Sequence, residues 1–163
     1  MYKDRLLQLQ KNLQRQYDQL GCIEDSLITV EQSNRARIRH QKEDLLKEIR
    51  PIEEEYLQCL SQEVTSLTVP EEEVEVIVAN IVQDTENISN SRNGQYPDEV
   101  IELLRKIHDT LNQQGKPAAG KLKLAIPLFL NILSYEVELD TYSTVRRLFP
   151  TFTKLLPTER KKT

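Results

Sequence analysis

Apolar residues recur through the first thirty positions with a strict step. Leu6, Leu9, Leu13, Gln16, Leu20, Ile23, Leu27 and Val30 are separated alternately by three and four residues. This is the seam of a heptad repeat, interrupted only at Gln16. A second seam, Ile38, Lys42, Leu45, Ile49, Ile52, Tyr56 and Cys59, follows with the same steps and is interrupted at Lys42. Two helices joined by a short link most simply fold back on each other. Residues 1–66 are therefore expected to form an antiparallel, coiled-coil-like helical hairpin with Leu13, Leu20, Leu45 and Ile52 buried. Thr29 and Gln32 have capping-box spacing for the start of the second helix. Gly21 should weaken the first helix and end it early, and Pro51 should kink or restart the second.

Residues 67–163 read as a small, mostly helical domain. Thr68 suits an N-cap, Pro70 a first helical position, and Glu71 to Glu73 a first turn where negative charge favours the helix dipole. The stripe Val74, Ile77, Val78, Ile81 and Val82 continues that helix. "SNSRNGQY" (Ser89–Tyr96) is a polar loop. "PDEVIELLRKIHDTLNQQ" then gives one clear apolar face: Val100, Leu103, Leu104, Ile107 and Leu111. In "KLKLAIPL", Leu122, Leu124, Ile126 and Leu128 alternate with other residues, and Pro127 argues against a helix. "SYEVELD" alternates too. Residues 121–139 are thus a candidate two-stranded β element, its Lys-lined strand facing its Glu-lined one. A last helix, capped by Asp140 or Thr141, should run through "YSTVRRLFPTFTKLL", and Pro150 should kink or end it. The expected fold class is mostly α.

Composition narrows the function classes. The chain has 163 residues, is 38% hydrophobic and 29% charged, and lacks tryptophan, as a largely helical domain allows. "MYKDRLLQLQKN" lacks the apolar region of a signal peptide, and no uncharged run of about 18 residues exists to form a membrane span. A cytoplasmic location is expected. Charge is uneven. Residues 1–66 carry 10 basic and 12 acidic side chains, 67–114 carry 3 and 10, and 115–163 carry 9 and 4, giving −2, −7 and +5. The basic end is expected either to neutralise the acidic middle or to meet an acidic partner.

Signals of catalysis are weak. Gly115, Gly120 and Lys121 match the spacing of a phosphate-binding loop. That loop needs a strand before it and a hydroxyl after the lysine, whereas a helix precedes Gly115 and Leu122 follows Lys121. Gly115 is better read as a helix C-cap. His40 and His108 have no sequence companion that would make a nucleophile or metal site, and "IEEEY" and "PEEEVE" are solvated helix faces. Cys22 and Cys59 read as small apolar seam residues. No catalytic, cofactor-binding or metal residue is assigned.

Two stretches carry a resemblance. "LQLQKNLQRQYDQLGCIEDSL…RARIRHQKEDLLKEIRPIEEE" resembles helical-hairpin modules of cyanobacterial signalling and conflict-system proteins, which are joined to NACHT or other STAND-type ATPases or to caspase-like or TIR effectors. "GKPAAGKLKLAIPLFLNILSYEVELDTYSTVRRLFPTF" resembles a second, effector-associated module of those proteins. The resemblance implies a non-enzymatic interaction or adaptor module in bacterial signalling or immunity. Its partner would be a STAND-type ATPase, an effector or a second copy of the chain, with no nucleic acid involved. The basic end offers candidate partner-binding residues: Lys121, Lys123, Arg146 and Arg147, beside the apolar Phe129 and Phe149. The rival reading is a membrane-associating module using the basic, apolar segment 116–156.

Overall fold

The computed structural model describes residues 2–67, 69–91, 97–136 and 144–156. Six α-helices make up nearly all of them, and no strand occurs among these residues. The helices are α1 (Tyr2–Thr29), α2 (Gln32–Glu63), α3 (Glu71–Ser91), α4 (Asp98–Leu111), α5 (Ala118–Glu136) and α6 (Thr144–Phe152).

The first two helices form the expected antiparallel hairpin. Its register is fixed by Arg5 on Glu55, Tyr56 on Gln10, and Lys42 on Glu24. Leu13, Leu20 and Leu45 are buried, and Ile52 is half-buried. Gly21 does not end α1, which continues to Thr29. The Thr29–Gln32 capping box is not formed either. Glu31 occupies the cap position of α2 without a side-chain bond. The turn is held from the other side, where Arg35 donates to the Leu27 carbonyl near the end of α1. Cys22 is exposed and Cys59 buried. The antiparallel register puts them at opposite ends of the hairpin.

The candidate β element at 121–139 is overturned. Residues 121–136 belong to α5, and residues 137–139 lie outside the described residues, as do the candidate caps Thr68, Asp140 and Thr141. The buried positions of α5, including Leu122, Ala125, Ile126, Phe129, Ile132 and Leu133, step by three and four. Leu124, the second member of the supposed strand face, is 51% exposed. Pro127 sits inside the helix on its exposed side. There water can reach the carbonyl of residue 123 that Pro127 leaves without an amide partner. Pro51 in α2 and Pro150 in α6 are likewise exposed within their helices.

Helix α5 is the hub, packing against α2, α3, α4 and α6. Helix α6 supplies the plug. Phe149 meets the rings of Tyr17 and Tyr56 at 5.1 and 5.7 Å, and Phe152 meets Tyr56 and Phe129 at 6.4 and 5.8 Å. One continuous hydrophobic cluster therefore runs from Leu6 of the hairpin to Leu156.

Candidate interaction surfaces

The six residues expected to form one docking patch are dispersed. Phe129 and Phe149 are 1% and 2% exposed and belong to the core. Arg146 lies over the Tyr17 ring and bonds to Glu24 of α1, which also receives Lys42. It is an internal tie between α6 and the hairpin. Arg147 is half-buried on the same helix. Lys121 is half-buried in the first turn of α5 and donates to the Gln113 carbonyl, and of the six only Lys123 is exposed. The apolar partners drop out because α5 turns Phe129 inward and α6 turns Phe149 inward, both into the aromatic cluster.

The stretch from Gly115 to Lys121 is a helix–loop–helix link. Asn112 caps α4, and Gly115, with φ of +84°, bends the chain inside the loop rather than serving as the cap. Lys121 NH closes on the Pro117 carbonyl to open α5. No strand precedes the loop among the described residues.

Two carboxylates, exposed Glu71 and buried Glu136, perform work that sequence reasoning missed. Ala118 NH, at the start of α5, donates to Glu71 of α3 at 2.9 Å. Thr144, at the start of α6, donates its NH and hydroxyl to the two oxygens of Glu136 at 2.9 and 2.6 Å. Each carboxylate caps a helix other than its own, where the unpaired NH groups favour negative charge. Burial pushes the Glu136 carboxyl up to about 7. The Thr144 bonds and Arg50 oppose that rise, and Glu53 adds to it. Glu53, itself buried, accepts from Tyr17 at 2.5 Å and sits 3.5 Å from Arg50. Burial first, and Glu53 second, hold the Tyr17 hydroxyl well above its ordinary range.

His108 has a companion that its sequence neighbours do not show. Its Nε2 lies 2.7 Å from Glu86 of α3. Asn112 approaches the ring at 3.3 Å, and Asp109 lies 3.7 Å away. The pair ties α3 to α4. No hydroxyl among the described residues hydrogen-bonds to this ring, so the pair does not extend to a nucleophile. Among the described residues, no group of three or more His, Cys, Asp and Glu side chains is arranged to hold a metal ion. No helix there is long and apolar enough to cross a membrane.

Two surfaces stand apart from this internal wiring. The first is a groove of about 550 Å³ between α4 and α5. Asp98, Glu99, Lys106 and Glu102, the last paired with Arg105, line it from α4, and Leu103 and Tyr135 supply apolar surface. Tyr135 is 42% exposed. The second is the hairpin tip. Between residues 25 and 41 the only buried apolar side chain is Ile38, which lies outside the main cluster. Ile28, in the last turn of α1, is 77% exposed. Between residues 25 and 41 the chain carries Arg35, Arg37 and Arg39 against Asp25 and Glu31.

Comparison with known proteins adds no relative: no family model, no curated protein and no solved structure matches the chain.

Proposed function

We propose that the chain is a non-enzymatic interaction module, a helical body that docks other protein chains through its α4–α5 shoulder. The observation that supports this reading is the groove itself. There, half-exposed Tyr135 borders Asp98 and Glu99, with which no Lys or Arg among the described residues forms an ion pair. Exposed aromatic surface beside unmatched charge suits an interface whose partner brings the complementary sign. The sequence resemblance points to a STAND-type ATPase, an effector or a second copy of the chain as that partner, in bacterial signalling or immunity.

The membrane reading has less support, because Phe129 and Phe149 would have to leave the core before they could enter a bilayer. Affinity capture from the native host tests the proposal. Wild-type protein is expected to retain a partner that the triple variant Asp98→Asn, Glu99→Gln, Tyr135→Ala loses. Equal recovery of every bound chain by wild type and variant would refute the groove as the docking site. Flotation of the wild type with anionic vesicles, and no groove-dependent partner, would favour the membrane reading.

A further inference from the structure

Helix α6 is tied to the body by carboxylates on three other helices. Thr144 donates to Glu136 of α5, Arg146 to Glu24 of α1, and Thr151 to Asp84 of α3. Glu24 and Asp84 are half-buried, whereas Glu136 is sealed from water. A second sealed carboxylate, Glu53 of α2, stands near it, and Arg50 serves both. The guanidinium lies 3.5 Å from Glu53 and donates to the Glu136 backbone carbonyl at 3.3 Å. Tyr17 of α1, which donates to Glu53, and Thr144 add hydroxyls to the joint but no charge. Other charges on the helices around α5 are placed elsewhere. Glu71 of α3 takes the amide at the opposite end of α5, Asp84 takes Thr151, and Glu86 takes His108. Asp98, Glu99, Glu102 and Lys106 of α4 line the outer groove. Arg146 of α6 faces Glu24, and among the described residues Arg50 is the cation that acts on Glu136. Two carboxyls thus meet one guanidinium out of water, and the joint is neutral only while one proton stays on the pair.

From this joint we propose that Glu136 is a proton-dependent latch on α6: with the proton in place α6 stays docked, and its loss loosens α6 and bares the aromatic face of Tyr17, Tyr56 and Phe129 beneath it. The latch is a property of the inner joint and stands independently of the α4–α5 docking reading. The neutral carboxyl keeps both bonds to Thr144. One oxygen accepts the amide, and the other shares a hydrogen bond with the hydroxyl. When the proton leaves to water, both oxygens can still accept, which favours the anion. A second negative charge then stands in the joint beside Glu53, with Arg50 already shared. Burial outweighs the Thr144 bonds and pushes the carboxyl up to about 7. Docking is therefore fully favoured below pH 4.5 and weakens as pH rises through 7. Water reaches the anion only if its cover moves. Glu136 ends α5 and Thr144 begins α6, so the first turn of α6 is that cover. Nine residues are too few for a helix to persist alone, so α6 leaves as a unit.

Native-state hydrogen exchange on the full chain tests this, comparing about pH 5.5 with about pH 8 after correction for the intrinsic amide rate. The opening constant of the α6 amides is expected to rise about tenfold or more, towards the ceiling of about 25-fold that a return from about 7 to 4.5 sets. It should exceed that of the hairpin seam around Leu13 at both pH values, because the hairpin stays closed when α6 leaves. Glu136→Gln and Glu53→Gln each leave one carboxyl for one guanidinium, so either should hold the rise below about threefold. Both variants carry the same expectation, so failure of one to fold leaves the other as the test. Three results would overturn the proposal. The first is α6 protection that does not change with pH in the wild type. The second is a wild-type rise that a folded Gln variant keeps. The third is α6 amides that open only as often as the seam at both pH values, since α6 would then leave only with the whole fold.

Discussion

Replacing Glu136 with Gln should remove one pH-dependent component of stability, and the structure sets its sign and size. The carboxyl is sealed at the end of α5 and holds Thr144 at the start of α6. Its folded value of about 7 stands against an ordinary value of 4.5. The difference is about 2.5 units, and at 1.36 kcal/mol per unit it amounts to about 3 kcal/mol. The folded chain keeps this proton to higher pH than the unfolded chain does. The stabilisation is therefore complete below pH 4.5 and is lost as pH rises through 7. Gln keeps one acceptor for Thr144 and cannot ionise, so it imitates the protonated acid. Urea denaturation of both proteins between pH 4.5 and 8.5 measures the effect. Groups common to both cancel in the difference, which should move in favour of Glu136→Gln by about 3 kcal/mol across the window. Parallel stability curves from pH 5 to 8 would refute the reasoning, as would a difference moving the other way.

Other perturbations separate core from surface. Leu13→Ala should cost about 2–5 kcal/mol in urea denaturation, and Phe152→Ala about 3–5 kcal/mol, since both side chains are fully buried. Glu54→Ala, on the exposed flank of α2, should cost under about 0.5 kcal/mol. Tyr17→Phe removes the hydroxyl that Glu53 accepts from, and should cost about 1–3 kcal/mol by leaving a buried carboxylate short of one donor. Calorimetric titration with ATP or GTP and magnesium should give no heat of binding, and micromolar binding abolished by Lys121→Ala would show the Gly115–Lys121 loop to be a phosphate site after all.

The hairpin was legible because its seams meet mainly each other, so the alternation of three and four residues carried through to burial. Tyr17, Leu57 and Leu60 fell outside the seams and are nevertheless buried. Only tertiary packing could reveal this, since the rest of the molecule covers part of the hairpin's outer face. Residues 121–136 were misread for a related reason. Helix α5 is packed by four other helices, so polar positions are too few to mark its period, and "KLKLAIPLFLNIL" satisfies a repeat of two as well as one of 3.6. Pro127 seemed to decide for a strand, yet its exposed position makes a helix tolerable there. The docking patch failed on the same segment. A net charge of +5 identifies a basic segment, but not that Arg146 is committed to Glu24 or that Phe149 is inside. The carboxylates of Glu71 and Glu136 were visible as charges, while the helices they cap lie 47 and 8 residues away in sequence. The acidic wall of the groove was legible as a −7 segment, and its pairing with Tyr135 needed the contact of α4 and α5.

The plug formed by α6 has a consequence for how the chain is made. The hairpin sequence is complete once residue 66 is synthesised, but Phe149 and Phe152 are synthesised more than eighty residues later. At about 5–20 residues per second, that interval lasts roughly 4–17 seconds. Throughout it the rings of Tyr17 and Tyr56 lack their covering helix, and Glu53 lies under an unfinished roof. A helical hairpin itself forms far faster than this. A hairpin that closes before α6 is made keeps one apolar flank bare, the state in which a chaperone would find it and in which two neighbouring nascent chains would be most prone to stick.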